Sequence, residues 1–496
     1  MEGVNIQMNL HQEVKRFLKE PKKLFINGTW TASQDGQTFE TYNPATGEVL
    51  AEVYEAKEAD VNQAVQAASQ AFEADSEWSN ISASDRAKLM FTLADLMERD
   101  FDIIAQLETL DNGKPINDIK LADLPNAIEN IRYFAGWTTK ITGQTIPISN
   151  EFFNYTRLEP VGVVGQIIPW NFPIMMAAWK IAPALATGCT VVLKPAEQTP
   201  LSALYLAKLI DEAGFPKGVI NIINGFGKTA GDALVKHPLV NKIAFTGSTP
   251  TGKAIMKEAT NTMKRVTLEL GGKSPNIILP DADLDKAIPG VFYGAVANQG
   301  EVCCAGSRVF IPDEIYDEVI EKLVQYAKDV KLGNGLDEQV EMGPLVSERQ
   351  QDIVSSYVSK GIEEGAKLLV GGEKSDRGYF VSPAVFSDVT DNMTIAKEEI
   401  FGPVVVPLRY KTIDEVVERA NASPYGLAAG IWTENLKHAH TLANKLQAGS
   451  VWVNCYNLTN PAAPFGGYKE SGIGREMGSY ALENYTEVKS VWINLE

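Results

Sequence analysis

Two adjacent cysteines, Cys303 and Cys304, carry the most reactive side chains in this sequence. They follow a glycine turn in the segment Asn298-Gln-Gly-Glu-Val-Cys-Cys-Ala-Gly-Ser-Arg308, whose small residues leave room for a substrate. A cysteine thiolate is a strong nucleophile that forms covalent intermediates with carbonyl compounds. Cysteines in long chains are, however, more often small buried apolar residues. The residue types alone do not distinguish Cys303 from Cys304 as the nucleophile.

Glu269 is the candidate general base. It lies near the end of the apolar run RVTLEL (265–270), just before Gly271 and Gly272. Partial burial there would raise its pKa toward that of a useful base. The chain has only four histidines, so we expect neither a catalytic histidine nor a metal site. Acid–base chemistry therefore falls to carboxylates or lysines.

Three turns that follow strand-like runs could contact a nucleotide. The segment Gly247-Ser-Thr-Pro-Thr-Gly-Lys-Ala254 nearly matches a P-loop, but Ala254 lacks the hydroxyl that binds Mg²⁺, so nucleoside triphosphate hydrolysis is not expected. A helix starting there would still offer free N–H groups to a pyrophosphate. The segment Gly225-Phe-Gly-Lys-Thr-Ala-Gly231 is one residue too long for the usual dinucleotide fingerprint, and a tight turn explains it better. Lys194 and Glu197 could bind the ribose hydroxyls of adenosine or form a surface ion pair.

Strand-like and helical segments alternate through the middle of the chain. From about residue 60 to 110, apolar residues recur every three to four positions, which predicts helices. Beyond them, helical segments separate the strand-like runs VGVVGQII (161–168), TVVLK (190–194), GVINII (218–223), KIAFTG (242–247) and RVTLEL (265–270). This alternation predicts an α/β fold with a doubly wound parallel sheet, which binds nucleotides at the C-terminal ends of its strands.

A second alternation begins with NIIL (276–279) and continues to about residue 460, which predicts a second α/β domain. The last run, TEVKSVWIN (486–494), alternates as an exposed strand would, and it needs a partner sheet in this or another subunit. The expected units are a Rossmann-like nucleotide-binding domain of residues 1–141 and 160–270, a catalytic domain of residues 271–470, and small β oligomerisation strands at 142–159 and 485–496.

The composition excludes several classes of protein. The chain has 496 residues, of which 45% are hydrophobic and 22% are charged, as in ordinary globular proteins. A formal charge of −18 argues against nucleic acids and anionic membranes as partners. We find no membrane span and, between Met1 and Glu20, no apolar core of a secretory signal. Four cysteines form no disulfide framework, so we expect a cytoplasmic protein.

The blocks around Cys303 and Glu269 resemble the two signatures of the aldehyde dehydrogenase superfamily, especially its NAD-linked branch of broad-specificity and retinal dehydrogenases. Further matching blocks extend over nearly the whole chain: NPATGE (43–48), ETLDNGKP (108–115), IIPWNFP (167–173), KPAEQTPLSAL (194–204), FTGST (245–249), EEIFGPVV (398–405), WVNCYN (452–457) and PFGGYKESGIGRE (464–476). The resemblance implies oxidation of an aldehyde to a carboxylic acid with NAD, through a thiohemiacetal and a thioester on cysteine. We also expect a homotetramer that is a dimer of dimers.

The resemblance also implies roles for individual residues. Cys303 matches the family nucleophile, Glu269 the base that activates the deacylating water, and Asn171 the amide of the oxyanion hole. Lys180 and Glu476 match a proposed proton-exit route from the base. The implied cofactor contacts are Ile168, Pro169, Trp170, Lys194, Glu197, Gly227, Phe245, Gly247, Ser248, Glu399 and Phe401. The implied substrate pocket consists of Asn126, Phe172, Met176, Trp179, Val302, Cys304, Asn457 and Thr459.

Three of the implied residues bear on specificity. A carboxylate at Glu197 that binds a ribose 2′-hydroxyl would repel a 2′-phosphate, so we expect NAD to be preferred over NADP. Asn457 and Thr459 replace a bulky aromatic residue of several relatives, which indicates a wider pocket for long or bulky aldehydes such as retinal. Met176 and Trp179, three apart on a helix, are equally well explained by core packing.

Three alternative functions compete with hydrolytic oxidation. A CoA-acylating semialdehyde dehydrogenase would use the same cysteine but typically lacks the base that Glu269 provides. A cofactor-free esterase could use Cys303 and Glu269, whereas a serine hydrolase is not expected without a Gly-x-Ser-x-Gly elbow or a suitable histidine. A catalytically silent structural or binding homologue would have no need to keep Cys303, Glu269 and Asn171.

Overall fold

The computed structural model describes residues 10–496. No secretory signal is expected between Met1 and Glu20. Residues 1–9 of that segment lie outside the described residues. Within residues 10–496, no helix is both long and apolar enough to cross a membrane.

Helices and strands alternate along most of the described chain. In chain order, helices α1 to α18 are Gln12–Lys19, Glu58–Phe72, Glu77–Asn80, Ala83–Arg99, Phe101–Asn112, Ile116–Asp118, Leu124–Ala135, Pro173–Thr187, Leu201–Glu212, Asp232–Lys236, Thr249–Ala259, Leu284–Val296, Tyr316–Asp329, Glu348–Glu363, Thr394–Lys397, Ile413–Asn421, Leu436–Lys445 and Tyr480–Glu483. Strands β1 to β22 are Leu24–Ile26, Thr29–Thr31, Thr38–Tyr42, Val49–Tyr54, Thr145–Ile146, Phe152–Pro160, Val163–Ile167, Thr190–Lys194, Ile220–Ile222, Lys242–Thr246, Arg265–Glu269, Pro275–Ile278, Arg308–Pro312, Lys367–Val370, Ala384–Ser387, Val404–Tyr410, Tyr425–Gly426, Ala428–Trp432, Ser450–Val453, Tyr468–Lys469, Gly472–Ile473 and Thr486–Asn494.

The first large sheet has eight strands in the order β2-β1-β9-β8-β7-β10-β11-β21. Its five central strands, β9 to β11 in that order, are parallel, and each lies inside one of the five strand-like runs of the sequence. The edges are antiparallel, with β1 on β9 and β21 on β11. The apolar runs are continuous because helices cover both faces of a parallel sheet. The predicted α/β class and doubly wound sheet are confirmed.

The helical pattern before this sheet forms separate helices rather than one continuous segment. Helix α4 ends at Arg99 and α5 begins at Phe101, because the chain bends at Asp100. The Asp100 carboxylate accepts a hydrogen bond of 2.8 Å from the Tyr205 hydroxyl on α9. Aspartate readily leaves the helical conformation to make such contacts. As a result, α5 ends close to the first sheet, where its last turn contacts the active site.

The second large sheet has seven strands in the order β14-β15-β16-β13-β12-β18-β19. It begins at Pro275, shortly after β11, the last parallel strand of the first sheet, ends at Glu269. All its pairs are parallel except the edge pair β14 and β15. The predicted second α/β unit is therefore present, and the two sheets are joined by the segment Leu270–Ser274.

The C-terminal strand pairs within its own chain. Strand β22 runs antiparallel to β6 over nine residue pairs, from Thr486 opposite Pro160 to Asn494 opposite Phe152. Strand β5 pairs with the other edge of β6 and completes a three-stranded sheet. Several large apolar side chains of this sheet are exposed: Phe152, Phe153, Val488, Trp492 and Ile493. Exposed apolar patches of this kind mark interaction surfaces.

Candidate active site

A cavity of about 610 Å³ receives side chains from both α/β halves. Glu269 contributes from the end of β11 on one side, and Cys303 from the segment after α12 on the other. Its wall is largely apolar, as in most small-molecule sites. Of the residues that the family resemblance implies, the wall contains Phe172, Met176, Trp179, Glu269, Val302, Cys303, Cys304, Asn457, Thr459 and Glu476.

Asn126, expected in the pocket, does not line this cavity and lies behind its wall. Its carboxamide oxygen accepts a hydrogen bond of 2.7 Å from the indole of Trp179. Its amide nitrogen donates to the Thr459 hydroxyl at 3.1 Å. Both ends of the short side chain are therefore engaged by lining residues. Asn126 therefore links two residues of the cavity wall, Trp179 and Thr459, to each other.

Cys303 lies on an irregular segment that turns the chain toward the cavity. After α12, the backbone angle φ is positive at Asn298 (49°), Gln299 (56°) and Gly300 (71°). A side chain at Gly300 would approach the carbonyl oxygen of Gly402 to 2.2 Å, so only glycine fits there. The turn leaves Cys303 half-buried on the cavity wall.

The structure distinguishes the two cysteines. The Cys304 thiol lies 3.4 Å from the carboxamide oxygen of Asn457, and its carbonyl accepts a hydrogen bond of 2.8 Å from the Tyr456 hydroxyl. The neighbouring Cys304 raises the pKa of the Cys303 thiol, and burial and the carboxylates of Glu399 and Glu269 raise it further. A raised pKa favours the neutral thiol, so Cys303 must lose a proton before it acts as a nucleophile.

Glu269 is a buried carboxyl group without a protein partner. Neither of its oxygens is hydrogen-bonded within the described residues. Burial raises its pKa well above the ordinary value, and the negative charge of Glu476 adds to the effect, whereas Lys180 and Arg475 oppose it. Lys180 and Glu476 themselves form a buried ion pair. A base of raised pKa therefore lies beside a buried ion pair, in the cavity that also contains Cys303.

Asn171 is held between the first sheet and the cysteine segment. It lies in the turn between β7 and α8, and its amide nitrogen donates to the carbonyl of Glu301 at 2.8 Å. The backbone carbonyl of Asn171 accepts a hydrogen bond of 3.0 Å from the side-chain amide of Asn298. A carboxamide has two N–H groups. The hydrogen bond to Glu301 occupies one of them, and the second has no acceptor within the described residues. Asn171 is buried and is not among the residues that line the cavity.

The expected adenosine and pyrophosphate contacts lie at the C-terminal ends of β8 and β10. Lys194 is buried rather than on the surface; its ammonium donates to the Pro195 carbonyl at 2.8 Å and lies 3.5 Å from the Glu197 carboxylate. Ser248 is the residue directly before α11, and no side chain caps the first N–H groups of that helix. A side chain at Gly247 would collide with the ring of Phe245 at 2.5 Å. Gly227 is exposed and begins the helical turn that follows β9.

The expected nicotinamide contacts lie nearer to Cys303. The Glu399 carboxylate accepts a hydrogen bond of 3.0 Å from the Gly272 N–H, and burial raises the pKa of Glu399 to about 7. Phe401, with a φ of 56°, packs edge-on against Trp170 with 5.1 Å between ring centroids. Ile168 and Pro169 lead from β7 to this pair, and the Ile168 N–H bonds to the Lys194 carbonyl at 3.1 Å.

Other residues also line the cavity although the sequence assigned them no role. Lys114 and Phe465 are two of them. Each lies in a block on which the family resemblance depends, ETLDNGKP and PFGGYKESGIGRE. The signal available in the sequence was a polar or aromatic residue that lies in a matching block and has no assigned role.

Comparison with known proteins agrees with this geometry. The model of the "Aldehyde dehydrogenase family" matches residues 30–491. The chain belongs to the aldehyde dehydrogenase family. The predicted family and enzyme class are thereby confirmed.

The relatives of this aldehyde dehydrogenase cover almost its whole length. The DhaS protein of Bacillus subtilis (strain 168) is 63% identical over 493 residues, 99% of either chain. Human mitochondrial aldehyde dehydrogenase is 55% identical and human retinal dehydrogenase 2 is 53% identical, each over 95% of this chain and 92% of the relative. The NAD⁺ complex of an aldehyde dehydrogenase from Bacillus cereus is 60% identical, with a TM-score of 0.98 over 99% of this chain and 100% of that one.

Proposed function

We propose that this enzyme oxidises aldehydes to carboxylic acids with NAD, using Cys303 as nucleophile and Glu269 as the base that hydrolyses the thioester. The observation that carries the proposal is that Cys303 and the unpartnered Glu269 carboxyl line the same cavity. Glu269 also argues against a CoA-acylating enzyme, which has no need of a hydrolytic base.

Acylation begins at the Cys303 thiol. Its proton leaves to solvent water, and the sulfur attacks the aldehyde carbon to form a thiohemiacetal whose oxygen carries negative charge. The second N–H of Asn171 and the backbone N–H of Cys303 stabilise that oxygen, because preorganised donors lower the free energy of a developing oxyanion. Bound NAD would supply the acceptor for the hydride that leaves the former aldehyde carbon. The product of this half-reaction is a thioester on Cys303.

Deacylation uses the opposite wall of the cavity. Glu269 takes a proton from a water molecule, whose oxygen attacks the thioester carbon and releases the acid and the Cys303 thiolate. A carboxyl of raised pKa is a stronger base than an ordinary glutamate once it is ionised. The buried pair of Lys180 and Glu476 provides the next acceptor for the proton that Glu269 must lose before another turnover.

The residues of the first sheet fit a dinucleotide. The uncapped start of α11 at Ser248 offers N–H groups and a positive dipole end to the pyrophosphate. Gly247 keeps the backbone free of a side chain there. Lys194 and Glu197 would hold the adenosine ribose, and the Glu197 carboxylate would repel the 2′-phosphate of NADP. Similar solved structures, including that of the Bacillus cereus enzyme, are NAD⁺ complexes.

The size of the cavity suits bulky or long aldehydes, retinal among them. Its 610 Å³ exceed the needs of a two-carbon substrate, and Thr459 leaves its mouth open. Human retinal dehydrogenase 2 is among the relatives. This substrate class is part of the proposal.

The organisation of the chain is also proposed. We assign NAD binding to residues 1–141 and 160–270, catalysis to 271–470, and subunit contact to 142–159 and 485–496. The exposed apolar side chains of the three-stranded sheet, Trp492 and Phe153 among them, support a homotetramer assembled through this surface.

The decisive experiment compares two cysteine variants. Cys303→Ala should abolish NADH formation and covalent trapping of the substrate, because it removes the nucleophile. Cys304→Ala should keep most of the activity, because its thiol contacts Asn457. The reverse result would overturn the assignment of the nucleophile. Loss of NADH formation in Cys303→Ala with unchanged thioester trapping would overturn the mechanism.

A further inference from the structure

The block ETLDNGKP (108–115) lies directly behind the segment that carries Asn171. The block comprises the last turn of α5 and the residues that follow it. The segment Trp170–Ile174 leads from β7 into the first turn of α8. The cysteine segment holds Asn171 on one side through Asn298 and Glu301. The block lies on the other side.

Two hydrogen bonds from the block fix the backbone on either side of Asn171. The amide nitrogen of Asn112 donates to the carbonyl of Trp170 at 2.8 Å. The Glu108 carboxylate accepts the N–H of Ile174 at 2.9 Å. That N–H belongs to the first turn of α8 and has no partner within its own helix. Both Asn112 and Glu108 are completely buried, so water cannot replace them.

A third contact holds the side chain of Phe172, which lies between Trp170 and Ile174. The ammonium of Lys114 lies over the ring of Phe172, 3.8 Å from its centroid, and forms a buried ion pair with Asp123. A desolvated cation–π contact of this kind contributes measurably to side-chain position. Phe172 follows Asn171 directly and lines the cavity. The carbonyl before Asn171, the ring after it and the start of α8 are therefore all held by one stretch of chain.

We infer that Glu108, Asn112 and Lys114 are positioning residues that aim the Asn171 amide at the oxyanion. This inference rests on the proposed function, because it needs the oxyanion role of Asn171. A preorganised donor is effective only if its position is fixed before charge develops, and displacement by about 1 Å lowers rates about 100-fold. The three residues therefore act mainly on the rate of thiohemiacetal formation.

The same block contains a matched control, Asp111. Its carboxylate accepts the N–H of Leu201 at 2.9 Å, which is the start of α9 rather than of α8. Like Glu108, it is buried and has one oxygen without a partner within residues 10–496. Burial raises the pKa of both groups, that of Glu108 to about 7. Asp111 and Glu108 thus differ mainly in the helix that each one holds.

The test measures the NADH burst at saturating NAD, the aldehyde KM and thermal unfolding for Asn112→Ala, Glu108→Ala, Glu108→Gln and Asp111→Ala. Asn112→Ala and Glu108→Ala should slow the burst at least about tenfold with the aldehyde KM within about twofold. Glu108→Gln should recover most of the rate, because its carboxamide oxygen still accepts the Ile174 N–H. Asp111→Ala should alter unfolding but not the burst. Asn112→Ser serves if Asn112→Ala does not fold.

A double variant separates the inference from the proposed function. In Asn112→Ala with Asn171→Ala, the two losses should not add, because both act through one amide. If Asn171→Ala slows the burst but Asn112→Ala and Glu108→Ala do not, the positioning role alone is overturned. Equal slowing by Asp111→Ala would overturn it too, since a general structural defect would then explain the losses. A burst unaffected by Asn171→Ala would overturn both the oxyanion role and its positioning.

Discussion

The two large sheets place their active-site residues by different means. In the first sheet, Lys194 and Glu269 are the last residues of regular strands. On the side of the second sheet, Cys303 and Phe401 lie on irregular segments with positive φ at Asn298, Gln299, Gly300 and Phe401 itself. Strand ends therefore carry the proposed adenosine-ribose contact and the proposed base, whereas strained turns carry the proposed nucleophile and the proposed nicotinamide contact.

This difference indicates a division of mechanical tasks. Regular strands hold a base and a dinucleotide rigidly, because each strand end is fixed by hydrogen bonds to its neighbours. A nucleophile must approach the substrate closely, and a turn with unusual backbone angles provides that approach at a cost in stability. Substitutions at the strand ends of the first sheet, the regular side, should therefore change chemistry or selectivity. Substitutions of the residues with positive φ beside the second sheet, the irregular side, should first change folding.

The largest expected effect is that of Glu269→Gln on the regular side. Acylation should still give an NADH burst near one per active subunit, but steady-state turnover should fall about 10²–10⁴-fold because the thioester has lost its base. Rapid-mixing kinetics measure both phases. The prediction fails if turnover stays near that of the parent enzyme under conditions where deacylation limits the rate.

The pH dependence of the parent enzyme follows from the same residue. Glu269 must be ionised to accept a proton, and its pKa is raised by burial. The deacylation rate should therefore decrease as the pH falls through that raised pKa and be fully expressed above it. Glu269→Gln should remove this acidic limb, and an identical limb in the variant would assign it to another group.

The irregular side is tested by Gly300→Ala. The new methyl group would meet the Gly402 carbonyl, and alanine is disfavoured at a φ of 71°. The free energy of unfolding should fall by about 2–4 kcal/mol in chemical denaturation. The control is Gly227→Ala on the regular side, where no atom lies within 4 Å of the added group. Similar destabilisation by both would contradict the division between the two sides.

Thr459→Phe tests whether the cavity is a pocket for bulky aldehydes. The larger side chain would narrow the mouth and break the hydrogen bond to Asn126. We expect kcat/KM for retinal to fall about 10–100-fold, with that for acetaldehyde within about twofold. An equal loss with both substrates would indicate a general disturbance of the wall instead of a narrower pocket.

The smallest expected effect is a change of cofactor preference in Glu197→Ser. Without the carboxylate, the 2′-phosphate of NADP meets no negative charge, and the ratio of kcat/KM for NADP over NAD should rise roughly tenfold, or about 1.4 kcal/mol. Initial rates with both cofactors measure it, and Lys194 remains unchanged as an internal reference. An unaltered ratio would place the origin of selectivity elsewhere.

The sequence predicted the regular side better than the irregular one. The run TVVLK coincides with β8 and ends at Lys194, because period and strand length are local properties. The position of Asn126 behind the wall was not predictable, since it depends on hydrogen bonds to Trp179 and Thr459, distant in sequence. For the same reason, the contact between Asn112 and Trp170 could not be read from the block that contains it.

The pairing of β22 with β6 has a consequence for synthesis of the chain. Asn154 and Ser490 are hydrogen-bonded at 3.0 Å although 336 residues separate them. At ribosomal rates of about 5–20 residues per second, β6 waits roughly 20–70 s for its partner strand. During that interval its backbone edge and the rings of Phe152 and Phe153 are open to other nascent chains. Expression yield should therefore respond to translation speed and chaperone supply more strongly than the stability of the finished enzyme would suggest.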